Sequence, residues 1–508
     1  MSRASGAPSP DAHLATGHLL EGIGERTRRG GALLLAMQAV KVALQLAALA
    51  VLARLLPPAA FGLLAMVAAL GAMLEFVKEF GLSSATIQRH EITQRQVSAL
   101  FWINAGLGIG IAAALALAAP LVAAFYGQPQ LEGVTRWLAL GFALSGLSVQ
   151  HWALLRRQMR FGAIAGIELA AEFAALGTAV ALALGGADYW ALVAQRLVSP
   201  ALQLGLSWIV CRWRPDWPHR TTGVASLVRY GASVTGSGLA VALSRSVDQI
   251  LLGWLFGPAA LGLYERAARL LMLPINTINA PVYAAGMPAL SRLADQPARY
   301  RAMFRQVVQK LALLTMPTFA LAAIMADWVV AVLFGPAWRE AAPIVFFFAI
   351  AAMHVPTVMA VGLLYMTQDR TGEMLRATLI DCALCLASIL AGLPFGAVGV
   401  AAALALTGLF VRLPISFTLA ARHGPVAPGA IYEALAIPVI TTAVAALTAA
   451  GLRLADVGLI GVGMGGVFAA ALVVLAFAET RRDVLRLMPR RLRFPLRLRR
   501  HRPAAHPS

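Results

Sequence analysis

Long apolar runs separated by short polar segments make up most of the chain. Most runs reach about 20 residues, the length that a helix needs to cross the hydrocarbon core of a bilayer. The pattern therefore predicts an all-α polytopic membrane protein with 14 spans. The predicted spans are 32–56, 60–81, 97–125, 132–154, 161–184, 188–211, 232–256, 259–290, 307–334, 341–366, 373–393, 397–420, 430–451 and 457–479.

Composition excludes a soluble domain, since 59% of residues are hydrophobic, 13% are charged and the mean hydropathy is +0.75. The external loops are short, and the sequence contains no nucleophile elbow, P-loop or zinc-protease motif. We therefore expect no enzyme, no cofactor and no metal. Cys382 and Cys385 form a C-x-x-C inside an apolar run, where small packing residues are the simpler interpretation.

Basic residues alternate with the predicted topology. They cluster in every second loop and in the arginine-rich segment 481–508, so the positive-inside rule places both termini in the cytoplasm. The net charge of +19 follows from this distribution. Anionic lipid headgroups, and not nucleic acid, are the partner that the charge indicates.

An internal duplication divides the chain. The segment 58–63 (PAAFGL) matches 258–263 (PAALGL) at an offset of 200, and 122–127 (VAAFYG) is similar to 330–335 (VAVLFG) at an offset of 208. Six spans separate the matched turns, so both copies enter the membrane in the same direction. The duplication predicts two parallel lobes that face each other, with the substrate path between them.

The predicted boundaries follow from this repeat. They are a cytoplasmic N-terminal segment 1–30, an N-lobe 31–222 with spans 1–6, a C-lobe 223–424 with spans 7–12, two additional spans in 425–480 and a basic cytoplasmic tail 481–508.

Charged and polar side chains inside the spans mark the candidate site, because a charge at the centre of a spanning helix costs about 2.5 to 3.5 kcal/mol unless it has a partner or water. We expect Lys41, Arg245, Arg266 and Arg269 to form a cationic, substrate-binding cavity between the lobes. The cavity and coupling candidates are Gln38, Gln45, Asp248, Glu79, Glu168 and Glu172.

Structural alternatives stay open for several of these residues. Arg245 and Asp248 are three residues apart on a helix and can neutralise each other. Arg266 and Arg269 follow an external turn closely enough to reach lipid headgroups. The glutamates are candidates for carrying protons or for helix packing.

Four segments resemble the lipopolysaccharide and exopolysaccharide flippases of the Wzx and WzxC type, in the polysaccharide transporter branch of the MOP superfamily. They are 61–104, 151–161 (HWALLRRQMRF), 244–274 (SRSVDQILLGWLFGPAALGLYERAARLLMLP) and 287–293 (MPALSRL), and the similarity covers most of 30–420. The family often has Asp where this chain has Glu79, a conservative departure.

The resemblance implies a MOP- or MATE-like bundle of 14 helices in the bacterial inner membrane. It implies export of undecaprenyl-diphosphate-linked oligosaccharide by alternating access, for O-antigen, capsule or exopolysaccharide biosynthesis, alongside polymerase or export components. Basic cavity residues would attract the diphosphate.

Other functions compete with this one. A MATE-like multidrug or cation antiporter has the same architecture but needs an acidic cavity. A membrane glycan ligase or polymerase needs a large external loop, and a scaffold needs no intramembrane charge. The glycan, the coupling ion, the oligomeric state and which intramembrane charges line the cavity are not determined by the sequence.

Overall fold

A computed structural model describes residues 23–79, 86, 92–217 and 224–476, without the side chains of 23–36, 73, 75–79, 224–245, 280–281 and 476. The described chain is helical and contains no strand. We number the α-helices α1 Ile23–Leu55, α2 Pro58–Glu79, α3 Gln94–Leu117, α4 Ala119–Tyr126, α5 Gln130–Arg157, α6 Phe161–Leu184, α7 Tyr189–Cys211, α8 Val224–Ser291, α9 Pro297–Ile324, α10 Ala326–Leu333, α11 Ala342–Met366, α12 Thr371–Gly392, α13 Gly396–Thr407, α14 Leu413–Ala421, α15 Pro428–Leu454 and α16 Leu459–Ala476.

The prediction of an all-α protein with 14 spans is confirmed. Nine segments of the described residues are helical, long and apolar enough to cross a membrane, and two shorter apolar helices lie at 58–72 and 459–475. Of the nine, 371–421 contains two predicted spans, and 246–291 contains predicted span 259–290 together with the second part of 232–256. Helix α7, which corresponds to the remaining span, carries an arginine near its middle.

Breaks inside the spans occur where the backbone requires them. Helix α8 bends at Gly257, whose φ of 77° and ψ of −175° lie outside the helical region, so the turn between predicted spans 7 and 8 is where the sequence places it. Only glycine adopts such angles without strain. A π-helical segment, Gly408–Arg412, joins α13 to α14 within one span.

The two duplicated turns touch each other. A Cβ atom on Gly62 would lie 1.7 Å from the carbonyl oxygen of Pro258, and a Cβ atom on Gly262 would lie 1.9 Å from that of Pro58. The contact is reciprocal, since each copy of the repeat contributes the same two positions. A reciprocal contact of this kind is the signature of a twofold relation between two units.

Aromatic packing surrounds this contact. Phe61 meets Trp338 edge to face with ring centroids 5.3 Å apart. The indole Nε1 of Trp338 donates to the carbonyl oxygen of Ala53 over 2.7 Å, and Arg54 donates to that of Val332. The first and second halves of the chain are therefore joined at the end of the bundle that carries the duplicated turns.

Elsewhere the helices pack mainly within their own half. In the first half, α3 packs on α5, and α6 packs on both α7 and α1. In the second half, α9 packs on α11, and α12 on α13. The halves meet chiefly where α2 packs on α8. The lobe boundaries stay a prediction.

Adding a methyl group at this contact tests its importance. We expect Gly62→Ala to destabilise the protein by about 1 to 3 kcal/mol or more, because the methyl group would collide with backbone that cannot rotate away. Gly110→Ala is the matched control, since a Cβ atom there meets nothing within 4 Å. Thermal unfolding of the purified protein in detergent compares the variants, and equal melting temperatures would contradict the close approach.

Candidate functional site

A cavity of about 250 Å³ lies between α1, α2, α6, α7 and the part of α8 that follows Gly257. Its polar lining combines residues that are distant in the sequence: Gln45, Glu172, Gln195, Arg196, Ser199, Arg266 and Arg269. Leucines from the same helices complete the wall. Four of the predicted site residues, Gln45, Glu172, Arg266 and Arg269, therefore share one cavity.

Two arginines on α8 border this cavity, and both contact the same carboxylate. Arg266 Nε lies 3.2 Å from Glu265 Oε2, and Arg269 Nη1 lies 3.4 Å from Glu265 Oε1. The Arg266 guanidinium also stacks over the ring of Phe61, 3.9 Å from its centroid. Because Phe61 comes from α2, this cation–π contact joins the two halves of the chain.

Arg196 is a site residue that the sequence analysis did not single out. It lies near the middle of α7, is exposed and lines the cavity. Within the described residues it forms no ion pair, unlike Arg266 and Arg269. The sequence does indicate this residue, since an arginine within an apolar span normally faces a partner or a water-filled cavity.

A hydrogen-bonded chain of Gln203, Ser199 and Glu172 lies next to Arg196. Ser199 Oγ donates to Glu172 Oε1 over 3.3 Å, and Gln203 Nε2 donates to Ser199 Oγ over 3.1 Å. Since Ser199 and Gln203 are one helical turn apart on α7, they hold the carboxylate that α6 supplies. The cavity thus contains one oriented acceptor beside its arginines.

Lys41 and Glu168 form a separate pair. Lys41 Nζ lies 2.7 Å from Glu168 Oε2, and both side chains are less than a third exposed. This pair joins α1 to α6 and lies outside the residues that line the cavity. Gln38, on the preceding turn of α1, is exposed, whereas Gln45 lines the cavity.

Asp248 is not among the described residues that line the cavity. Asp248 accepts a hydrogen bond from the hydroxyl of Tyr264 over 2.7 Å and from the backbone N–H of Gln249 over 2.8 Å. The side chains of Arg245 and Glu79 lie outside the described residues. The pairing of Arg245 with Asp248 therefore stays a prediction.

The cavity carries an excess of positive charge. Three arginines and Glu172 line it, and Glu265 contacts two of these arginines, so the described group has a formal net charge of +1. Guanidinium groups offer paired N–H donors that match the oxygens of a phosphate or carboxylate. The arrangement can therefore bind an anion next to hydroxyl or amide groups that Glu172 would accept from.

An internally duplicated bundle of apolar helices around a charged cavity is the architecture of a multi-pass membrane transporter. The chain belongs to the polysaccharide biosynthesis protein family, whose model matches residues 51–343. Its fold is that of the MOP superfamily.

Two solved structures show this fold. The lipid II flippase MurJ, in an inward closed conformation, aligns with a TM-score of 0.69 at 11% identity, over 89% of this chain and 99% of that one. A multidrug resistance MATE family transporter of the MOP superfamily aligns with a TM-score of 0.55 at 13% identity, over 77% and 95% of the two chains.

Curated relatives are similar at higher sequence identity, over shorter parts of the chain. The lipopolysaccharide biosynthesis protein WzxC of Escherichia coli is 24% identical over 71% of this chain and 74% of its own length. The teichuronic acid biosynthesis protein TuaB of Bacillus subtilis is 28% identical over 60% of this chain, and the match spans 61% of TuaB. The succinoglycan biosynthesis transport protein ExoT of Rhizobium meliloti is 28% identical over 58% of this chain and 60% of its own length.

The Lys41–Glu168 pair yields a test by double-mutant cycle. We expect Lys41→Met and Glu168→Gln each to lower the unfolding free energy, and the double variant to lower it by less than their sum, with a coupling of about 1 kcal/mol. Removing one partner leaves a charge without compensation in the membrane interior. Unfolding in detergent measures the four proteins, and additive effects would show that the two groups do not interact.

Proposed function

We propose that the protein is a flippase that moves undecaprenyl-diphosphate-linked oligosaccharide across the bacterial inner membrane, for the biosynthesis of a surface or secreted polysaccharide. The observation that carries this proposal is the cationic cavity, in which Arg196, Arg266 and Arg269 meet between predicted spans. Family membership and the names of the relatives, which describe polysaccharide biosynthesis and transport, support the same substrate class.

The diphosphate is the part of the substrate that these arginines suit. Arg196 has no ion-pair partner among the described residues. Its guanidinium can therefore donate to phosphate oxygens without first breaking an ion pair. Glu265 keeps Arg266 and Arg269 at a fixed separation. Glu172 would accept from a sugar hydroxyl and would repel a second anionic group.

An apolar cleft of about 370 Å³ supports an amphiphilic substrate. Val42 and Leu46 of α1 line this cleft, while Leu44 and Gln45 line the cationic cavity, and Leu273 borders both. Polar and apolar spaces thus lie on two sides of one helix. A headgroup in the cavity and a prenyl chain on the lipid side satisfy both environments.

The size of the cavity supports a mechanism with a conformational change. Sites for small ligands typically enclose about 300 to 1,000 Å³, and this one encloses about 250 Å³. It admits a diphosphate but not a whole oligosaccharide. Passage therefore requires the two halves to separate at the contact between Gly62 and Gly262, which is the motion that alternating access predicts.

A cation antiporter fits this cavity less well. Binding a cation favours an excess of carboxylates, whereas the lining here has three arginines and one glutamate. We propose transport without covalent chemistry, with both termini in the cytoplasm. Polysaccharide polymerase or export components are the proposed partners, because they would consume the flipped product.

Removing the charge of Arg196 tests the proposal. We expect Arg196→Gln to lower the appearance of lipid-linked oligosaccharide on the outer leaflet about tenfold or more, since a hydrogen bond to a charged group contributes about 1.5 to 3 kcal/mol. A strain that lacks the protein and carries the variant gene is probed with an external glycan-labelling reagent, and the inner-leaflet pool is measured in parallel.

Arg136→Gln is the matched control. Arg136 is an exposed arginine that pairs with Glu132 over 2.6 Å and lies outside the cavity. This variant should restore export fully. Normal export by the Arg196→Gln protein, at equal abundance in the membrane, would remove the cavity from the substrate's route. Normal export in the strain without the protein, with new sensitivity to cationic dyes, would favour the antiporter.

A further inference from the structure

A short irregular segment after α7 is fixed against α3. We call residues 212–217 the strap. Gln94 Nε2 donates to the carbonyl oxygen of Arg214 over 3.0 Å, and Trp102 Nε1 donates to that of Asp216 over 2.8 Å. Without helix or strand, the strap still has a defined position, because side chains of α3 satisfy its backbone.

The middle of the strap is anchored in the protein interior. Trp213 is buried and packs against the rings of Phe101 and His151, with centroids 6.0 Å and 5.3 Å away. The residues on either side of it, Arg212 and Arg214, are exposed. Burial of the central tryptophan therefore holds two arginines at the surface.

A pair of tryptophans continues this surface. Trp217 stacks on Trp102 with ring centroids 6.4 Å apart and planes 16° apart. Trp217 is 80% exposed and Trp102 is 39% exposed. Tryptophan is enriched at the boundary between hydrocarbon and headgroups, where an apolar ring with one polar N–H is most stable. The strap joins two predicted spans, which places the pair at that boundary.

The arginines beside this pair are not paired with a carboxylate of the described residues. Arg95, in the first turn of α3, is exposed like Arg212 and Arg214, and none of the three forms an ion pair in the described part of the chain. The backbone N–H of Asp216 bonds to Ser98 Oγ over 3.0 Å, and the carboxylate of Asp216 pairs with no described base. Three cations thus remain available next to a preformed aromatic platform.

We propose that the strap is a binding site for an anionic phospholipid headgroup. Arg95, Arg212 and Arg214 contact the phosphate, and the stacked rings of Trp102 and Trp217 lie at the level of the glycerol and the first methylenes. Basic residues near a membrane surface attract anionic lipid at this depth. The site is separate from the cationic cavity and does not depend on the proposed transport function.

Lipid binding to the purified full-length protein tests the site. Native mass spectrometry with added phosphatidylglycerol or phosphatidylcholine gives the affinity for each lipid. We expect the Arg212→Gln, Arg214→Gln double variant to bind phosphatidylglycerol about 30-fold more weakly, since each basic residue near the surface contributes about a factor of five. Binding of phosphatidylcholine, whose choline cancels the charge of its phosphate, should weaken much less.

A matched variant controls for the loss of charge. Arg292 and Arg301 are exposed arginines outside the strap, so the Arg292→Gln, Arg301→Gln protein loses the same charge and should bind as the unaltered protein does. Equal binding by the two double variants would overturn the proposal. Equal affinity for both lipids, or displacement of phosphatidylglycerol by undecaprenyl diphosphate, would also overturn it, and the latter would place the strap on the substrate's route.

Trp217→Ala gives a second measurement that keeps the charges. We expect this variant to retain the preference for phosphatidylglycerol over phosphatidylcholine and to bind both more weakly. The rings contact the glycerol and the first methylenes, which the two lipids share, and they carry no charge. Unchanged affinity for both lipids would show that the aromatic pair takes no part in the site.

Discussion

The rest of the structure depends on one close approach of backbone. Gly62 and Gly262 allow the two duplicated turns to meet with no side chain between them. That contact sets how α2 and α8 lie against each other. It thereby places the ring of Phe61, which precedes Gly62, under the guanidinium of Arg266, one turn beyond Gly262. A larger residue at either glycine would displace both the contact and the cavity wall beside it.

Electrostatics then determines which of the buried charges can take a ligand. Glu265 lies between Arg266 and Arg269, and Glu168 meets Lys41. Each pairing reduces the free energy of placing charge in the membrane interior. Arg196 is exposed to the cavity without such a partner, so water or an anion must solvate it. The excess charge of the site is therefore concentrated where a substrate phosphate would replace water.

Hydropathy, charge alternation and the repeated turn were sufficient to predict the helical fold and the break at Gly257, because these features are local or periodic. Helical position alone also selected Gln45, Glu172, Arg266 and Arg269, which the structure brings into one cavity. It could not show that Lys41 faces Glu168, a residue 127 positions away. Spacing within one helix defines a face and does not define which helix covers it. Arg196, Ser199 and Gln203 are at helical spacing on α7, but this spacing does not show that α6 and α8 enclose a cavity with that face.

The contacts between the two halves of the chain are of a kind that can break and re-form during transport. At the end that carries the duplicated turns they are apolar packing, the cation–π contact of Arg266 with Phe61, and hydrogen bonds from Trp338 and Arg54 to carbonyl oxygens. No ion pair joins the halves among the described residues of this end. Breaking a hydrogen bond to a carbonyl where water can replace it costs about 0.5 to 1.5 kcal/mol, whereas stranding one member of a buried ion pair costs about 3 to 5 kcal/mol. The contacts between the halves at this end can therefore break to let an oligosaccharide pass, while the ion pairs within each half stay intact.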